Sequence, residues 1–299
     1  MIRLSPFIYF LCLALPETEG WAIKSEGSFA RILGALADEL DGLTEAVLER
    51  NERWPRLGGQ LDRLCEFILD EDNGRCWRRC ANDAVTRMAA ERLREASARS
   101  LGLVEKMKAR QVYARERDAD LYTALLSASA REEWERVRGR RGAKVMFIGA
   151  GAFPVSAITI ARETSAEVLC VDIDEEAVRH GTELARYLGM QQTFRYTDGH
   201  LSEPEFASAA THVFIASLVP EKLDILRELR PRVRSDCRIV VRYGNGLKSL
   251  FNYPLDPGAL TDWRTAVPGR TGGIYDTLVL EPRETAYEWQ NSHFIASGT

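Results

Sequence analysis

The stretch from Lys144 to Asp174, KVMFIGAGAFPVSAITIARETSAEVLCVDID, limits the fold more than any other part of the chain. Val145 to Ile148 is an apolar run of the length expected for a buried strand. Gly149-Ala150-Gly151 follows as a glycine-rich turn. The next residues read as a helix with Pro154 near its first turn, where a missing N–H costs little. A second apolar run, Val168 to Val171, ends in Asp172. This is a strand–turn–helix–strand unit with an acid about 20 residues beyond the glycines. Glycine lets the backbone approach a nucleotide closely, and the acid can hold a ribose diol. The turn reads GxGxxP, not GxGxxG. With proline in place of the third glycine, a mononucleoside ligand such as S-adenosylmethionine (SAM) is favoured over a dinucleotide. Gly149, Ala150, Gly151, Asp172, Ile173 and Asp174 are therefore candidate cofactor-binding residues. The alternative is a tight turn in an α/β domain that holds no ligand.

Strands and helices alternate after this unit. A helix is expected over Glu175 to Leu188 and another over Leu223 to Leu229. Strands are expected over Gln192 to Tyr196, His212 to Ala216 and Ile239 to Tyr243, with two more candidates at Ile274 to Leu280 and Tyr287 to Ile295. Alternation implies a parallel sheet covered by helices on both faces. A closing pair of strands suits the seven-stranded sheet of the SAM-dependent methyltransferase type. Asp198 and Gly199 follow the third strand and Ala216 ends the fourth, so they join the cofactor candidates. For Asp198-Gly199 the alternative is a turn-forming pair.

Residues 25–140 read as helix. Phe29, Ile32, Leu33, Leu36, Leu40 and Leu43 recur at three and four. Trp54-Pro55 through Gly58-Gly59 is expected to break the pattern, and a second helix from Leu61 is expected to end near Asn73-Gly74. Val85, Met88, Ala89 and Leu93 begin a third helix, and Tyr113, Leu121, Leu125 and Leu126 mark the last segments. The expected class is α/β: a helical domain over 25–140, then a Rossmann-like SAM-binding domain over 141–299. Residues 1–24 stand apart. Arg3 precedes an apolar run from Leu4 to Leu15 with no A-x-A cleavage site after it. It reads as a start placed too early, a packed helix or an export signal. Export ranks last, because SAM is a cytosolic metabolite, so a cytoplasmic location is expected.

The 299 residues suit one large or two modest domains, and 45% hydrophobic content is ample for a core. A net charge of −4 calls for neither nucleic acid nor a membrane surface. The basic cluster Arg136, Arg138, Arg140, Arg141 and Lys144 reads as a solvated connection. None of the six cysteines forms a CxxC pair, and the four histidines show no HxxxH or HExxH pattern. The cysteines are expected to be reduced, and no metal site is expected.

Several segments together resemble nicotianamine synthases and their bacterial relatives that make opine-type metallophores. FIGAGAFPVSAITIA (147–161) is similar to the family's FIGSGPLPLTSIVLA, and VDIDEEA (171–177) to NIDIDPSA. FRYTDG (194–199) is similar to FHTTDI, and THVFIASLVPEKLDILREL (211–229) to the VFLAALVG segment and its helix. VVRYGNGLKSLFNYP (240–254) is similar to LRSAHGARAFLYP, and NSHFIAS (291–297) to NSVVIAR. Upstream, AERLREA (90–96) resembles AEGKLEA, with two glutamates four apart. The aromatic FPYY(x)NY stretch of plant members is missing around Leu121-Tyr122-Thr123, and Asn245-Gly246 replaces their His-Gly.

The resemblance implies transfer of the 3-amino-3-carboxypropyl arm of SAM to an amino-acid amine, with histidine favoured and methylthioadenosine released. It places Glu95 and Tyr122 at the reacting centre, with Glu91 in reserve. Arg242, Tyr243, Asn252 and Tyr253 become candidate substrate residues, Arg242 as a grip for the arm's carboxylate. A wet helix face for the glutamates, a core aromatic for Tyr122 and an internal ion pair for Arg242 are the plainer readings. An opine-type dehydrogenase acting on the product and a homodimer are the expected partners. A nicotianamine synthase making several transfers, a small-molecule methyltransferase and a non-catalytic SAM-binding protein are the alternatives.

Overall fold

The structure is a computed structural model that describes residues 26–50, 54–114, 130–199, 203–270 and 273–283. The amino-terminal part is helical: α1 (Glu26–Glu49), α2 (Trp54–Leu69), α3 (Glu71–Cys80) and α4 (Ala84–Tyr113), then described helical residues 130–136, α5. The rest alternates as β1 (Lys144–Ile148), α6 (Val155–Thr164), β2 (Glu167–Val171), α7 (Glu175–Tyr187), β3 (Phe194–Thr197), α8 (Pro204–Ala209), β4 (His212–Ile215), α9 (Lys222–Leu229) and β5 (Arg238–Tyr243). It closes with β6 (Trp263–Arg270) and β7 (Asp276–Pro282).

Among the described residues the sheet has seven strands, in the order β3-β2-β1-β4-β5-β7-β6. β1 to β5 run parallel; β7 is antiparallel to β5, and β6 to β7. The central strands are apolar on both sides because both faces are covered. Val145, Phe147, Val168, Cys170, Phe214 and Val240 face α6, α7 and the end of α4. Met146, Ile148, Leu169, Val171, Val213, Ile215, Ile239 and Val241 face α8 and α9. A third cluster joins α1 to α4 with Leu247, Leu250 and Phe251, which follow β5. The helical part is thus seated on the loop beyond β5, while Ala109 and Val112 of α4 reach the sheet's own core.

Three helix and strand expectations change. Pro55 stands in the first turn of α2 and Gly58-Gly59 lie inside it, so the stretch opens a helix. Leu57, Leu61, Leu64 and Ile68 are buried along one face, which outweighs the roughly 1 kcal/mol that each glycine costs in a helix. That helix ends at Leu69, and Asn73-Gly74 lie in α3, where the Asp70 side chain accepts from the Asn73 amide. The last hairpin uses Trp263–Arg270, unanticipated in the sequence, paired with Asp276–Pro282. The candidate strand at Tyr287 to Ile295, the N-terminal apolar run and Tyr122 lie outside the described residues. No helix among the described residues is long and apolar enough to cross a membrane.

Candidate active site

The parallel strands end together at one edge of the sheet, where open α/β sheets hold their ligands. Gly149 and Gly151 adopt φ +73° and +71°, a region that excludes most other residues. The Gly149 and Ala150 amides donate to Val171 O at 2.9 and 3.1 Å, and the Gly151 amide donates to Asp172 Oδ2 at 2.7 Å. A Cβ at Gly149 would run into Val219, and one at Gly151 into the carboxyl of Glu105. The Tyr196 hydroxyl donates to Gly151 O at 2.8 Å, bracing the turn from β3.

Asp172 accepts from the Gly151 amide on one oxygen and from the Asp174 amide, at 3.0 Å, on the other. Burial pushes its carboxyl up, while those two amides pull it back. An ionised carboxylate offers about four lone-pair sites. Two are used, so a ribose diol can still be held. Beside it Ile173 is 85% exposed, an apolar surface at the sheet edge that suits the flat face of a base. Asp198 is exposed and Gly199 half-buried just past β3. The Ala216 amide donates to Ile148 O at 2.9 Å, which sets its methyl beside Gly149. These features fit a mononucleoside. The Asp174 carboxylate caps α7 by accepting from the Glu176 and Ala177 amides, and it pairs with Lys106 at 2.7 Å.

The second group lies between α4 and the loop after β5. The Tyr253 hydroxyl donates to both carboxylate oxygens of Glu95, at 2.7 and 2.8 Å, across 158 residues of sequence. Burial and this bond push the Tyr253 phenol up to about 12. Arg94 lies over the Tyr253 ring at 5.1 Å. Glu91, one turn before Glu95, is exposed. One loop joins this group to the glycine turn. Ser217 O accepts from the Tyr253 amide at 3.0 Å, and Val219 packs on Gly149. The buried Lys222 amine donates to the carbonyls of Ser217, Val219 and Tyr253 and ties the junction together. Burial pushes that amine down to about 7, against the pull of Glu221 and with help from Arg94.

Three expected substrate residues sit differently. Arg242 projects from β5 onto the face covered by α5, where its guanidinium pairs with Glu133, 3% exposed, and donates to Ser156 Oγ at 3.0 Å. The carboxylate it grips is therefore internal. Tyr243 points to the opposite face, against the α8–α9 core. Asn252 is buried, with Nδ2 donating to Lys248 O and Ile274 O at 3.1 and 2.9 Å and Oδ1 without a partner among the described residues. Glu105 and Glu133 are further residues of the site and its support that no sequence motif announces, and Tyr196 and Lys222 lie in family-like segments without being singled out there. A cavity of about 810 Å³ lined by Arg238, Arg264, Glu281 and Arg283 lies at the starting ends of the parallel strands, remote from this chemistry.

The nicotianamine synthase protein family profile matches residues 129–280. An L-histidine 2-aminobutanoyltransferase of Pseudomonas aeruginosa strain UCBPP-PA14 is 35% identical over 222 residues, 74% of this chain and 84% of that protein. One from Yersinia pestis is 30% identical over 257 residues, 85% of this chain and 96% of that protein. Among solved structures, MtNAS in complex with MTA and tNA superposes with a TM-score of 0.69 at 18% identity, covering 85% of this chain and 98% of that one. An MtNAS mutant in complex with S-adenosylmethionine gives 0.67 at 18% identity, covering 86% and 98%. The chain belongs to the nicotianamine synthase protein family.

Proposed function

We propose that this chain transfers the 3-amino-3-carboxypropyl arm of SAM to the amine of L-histidine and releases methylthioadenosine, as an early step of opine-type metallophore synthesis. Its 30–35% identical relatives carry the name L-histidine 2-aminobutanoyltransferase and support this acceptor. The observation that carries the reading is the Tyr253–Glu95 contact, which brings a phenol and a carboxylate from the two halves of the chain together. A loop shared with the glycine turn holds that contact at the cofactor end of the sheet.

The sulfonium makes three carbons electrophilic, and the methyl is the least hindered. Attack on the arm must therefore be imposed by position, with the acceptor nitrogen about 3 Å from the γ-carbon and in line with sulfur. The new N–C bond forms as the C–S bond breaks, and its electron pair stays on sulfur as a neutral thioether. The acceptor is an ammonium ion at neutral pH and must first lose a proton. Glu95 takes that proton, and Tyr253 holds its carboxylate in place. Tyr122 is proposed to stand at the same centre. Asp172, Ile173 and the glycine turn bind the nucleoside.

The enzyme is proposed to work in the cytoplasm as a homodimer, without a metal, and to pass its product to an opine-type dehydrogenase. Incubation with SAM and candidate amino acids, followed by mass spectrometry, tests the reaction. Methylthioadenosine with a single-arm histidine adduct is expected. S-Adenosylhomocysteine would overturn it in favour of methyl transfer, and multi-arm cyclised products would move the chain to nicotianamine synthesis. Glu95→Gln should leave SAM affinity near that of the wild type and cut turnover by about 10² to 10⁴, the usual worth of a positioned base. Higher pH should partly rescue it, because free amine then forms unaided.

A further inference from the structure

We infer that Arg94 receives the carboxylate of the acceptor amino acid, next to the Glu95 that takes the proton from its amine. This deepens the reading above and rests on it for the identity of the acceptor. Arg94 lies in α4, and its side chain is 14% exposed. One terminal nitrogen donates to Ser249 O at 3.2 Å, and the guanidinium lies over the Tyr253 ring. Its Nε is buried and has no hydrogen-bond partner among the described residues. The nearest carboxylate is that of Glu95, at 3.9 Å from Nε, too far for a hydrogen bond. Both oxygens of that carboxylate already accept from Tyr253.

A buried guanidinium nitrogen without an acceptor is costly and invites one. Arg242, the arginine that the resemblance offered for a substrate carboxylate, has its fork on Glu133 and Ser156. Lys222 is committed to three backbone carbonyls. Among the described residues, Arg94 is therefore a cation of this site with a donor to spare. An α-amino acid carries its ammonium and carboxylate on one carbon. Arg94 and Glu95 present a cation and an anion side by side, with Nε 3.9 Å from the carboxylate. The ammonium goes to Glu95 and Tyr253, and the carboxylate goes to the exposed part of the Arg94 guanidinium. A planar guanidinium suits this better than an ammonium, because its donors are fixed in direction.

The arm of SAM is also an α-amino acid, so the test must tell the two sources apart. Calorimetry on the full chain with methylthioadenosine bound would compare histidine with histamine, which lacks the carboxylate. The wild type should bind histidine more tightly. Arg94→Met, which keeps an apolar stem over Tyr253, should weaken histidine about 10- to 100-fold, the worth of a charge-assisted bond. Histamine should move less than about threefold, and SAM affinity should hold. Arg94→Lys should recover only part of the loss. An unchanged preference for histidine over histamine in Arg94→Met would overturn the inference. A SAM affinity that falls as far as that of histidine would also overturn it, by giving Arg94 to the arm. Should Arg94→Met not fold, the same comparison in Arg94→Lys decides. Wild-type protein that binds histidine but forms no methylthioadenosine from SAM would instead remove the proposed reaction and leave the role of Arg94 to the binding data.

Discussion

Glu105 gives the proposed site a numerical test. Its carboxyl lies against Gly151 in the cofactor turn. Burial pushes it up to about 8 from an ordinary 4.5; Lys108 pulls against this, and Asp172 adds to it. The folded chain therefore keeps a proton that the unfolded chain has released. The stabilisation from protonated Glu105 is complete below pH 4.5 and is lost as pH rises towards 8. Between those values, stability falls by about 1.4 kcal/mol for each pH unit. At pH 7 the distance from 4.5 is about 2.5 units, or about 3 kcal/mol. Glu105→Gln keeps the shape and cannot ionise. It should match the wild type near pH 4.5 and exceed it by about 3 kcal/mol at pH 7. Urea denaturation of the ligand-free chain at pH 5, 6, 7 and 8 measures this. The difference between the two proteins separates Glu105 from Asp62, His212 and Lys222, which burial pushes to about 6, 4 and 7. A difference that stays flat with pH, or a variant less stable at pH 7, would refute the argument.

Three further outcomes are expected. Tyr253→Phe removes the donor to Glu95 and should lower kcat/KM about 10- to 100-fold, read as methylthioadenosine release; normal turnover would exclude the pair from the chemistry. Gly151→Ala meets both a φ of +71° and the Glu105 carboxyl, so it should cost about 1 to 2 kcal/mol of stability and weaken SAM more than tenfold in calorimetry. Lys222→Met leaves the Val219 carbonyl without a donor, while the Ser217 and Tyr253 carbonyls keep the Tyr253 and Gly244 amides, and should cost about 1 to 3 kcal/mol in urea denaturation; no measurable loss would show that water replaces it.

The sheet is legible where covering both faces demands continuous apolar strands. Val145 to Ile148 and Val168 to Val171 are buried throughout, and their side chains divide alternately between the two layers. Trp263–Arg270 hides because it is the edge strand. An edge tolerates Pro268 and Gly269, which read as a turn, and its register with β7 is irregular there. The glycine turn and Asp172 are legible because their geometry is local. The Tyr253–Glu95 contact is not local, so only the family resemblance suggested that both residues matter. Glu105 and Lys222 left a fainter trace. Lys222 lies in the apolar stripe of Ile225, Leu226 and Leu229, three, four and seven residues on. Glu105 precedes buried Ala109 and Val112 by four and seven. An ionisable residue at such a position must be buried with partners or placed at a site.

Arg242 and Arg94 show where that reasoning stops. A buried guanidinium needs a carboxylate, and burial does not say whose. On β5, Arg242 follows Val240 by two, so it points to the same covered face. There α5 supplies Glu133, more than 100 residues away in sequence, and the pair closes internally. No pattern in the sequence could separate that outcome from a grip on substrate. Arg94 sits instead where α4 meets the loop beyond β5, beside a carboxylate already committed to Tyr253. Among the described residues nothing accepts from its Nε. The strand arginine closes on an internal carboxylate, whereas the helix arginine is the one proposed to meet the acceptor.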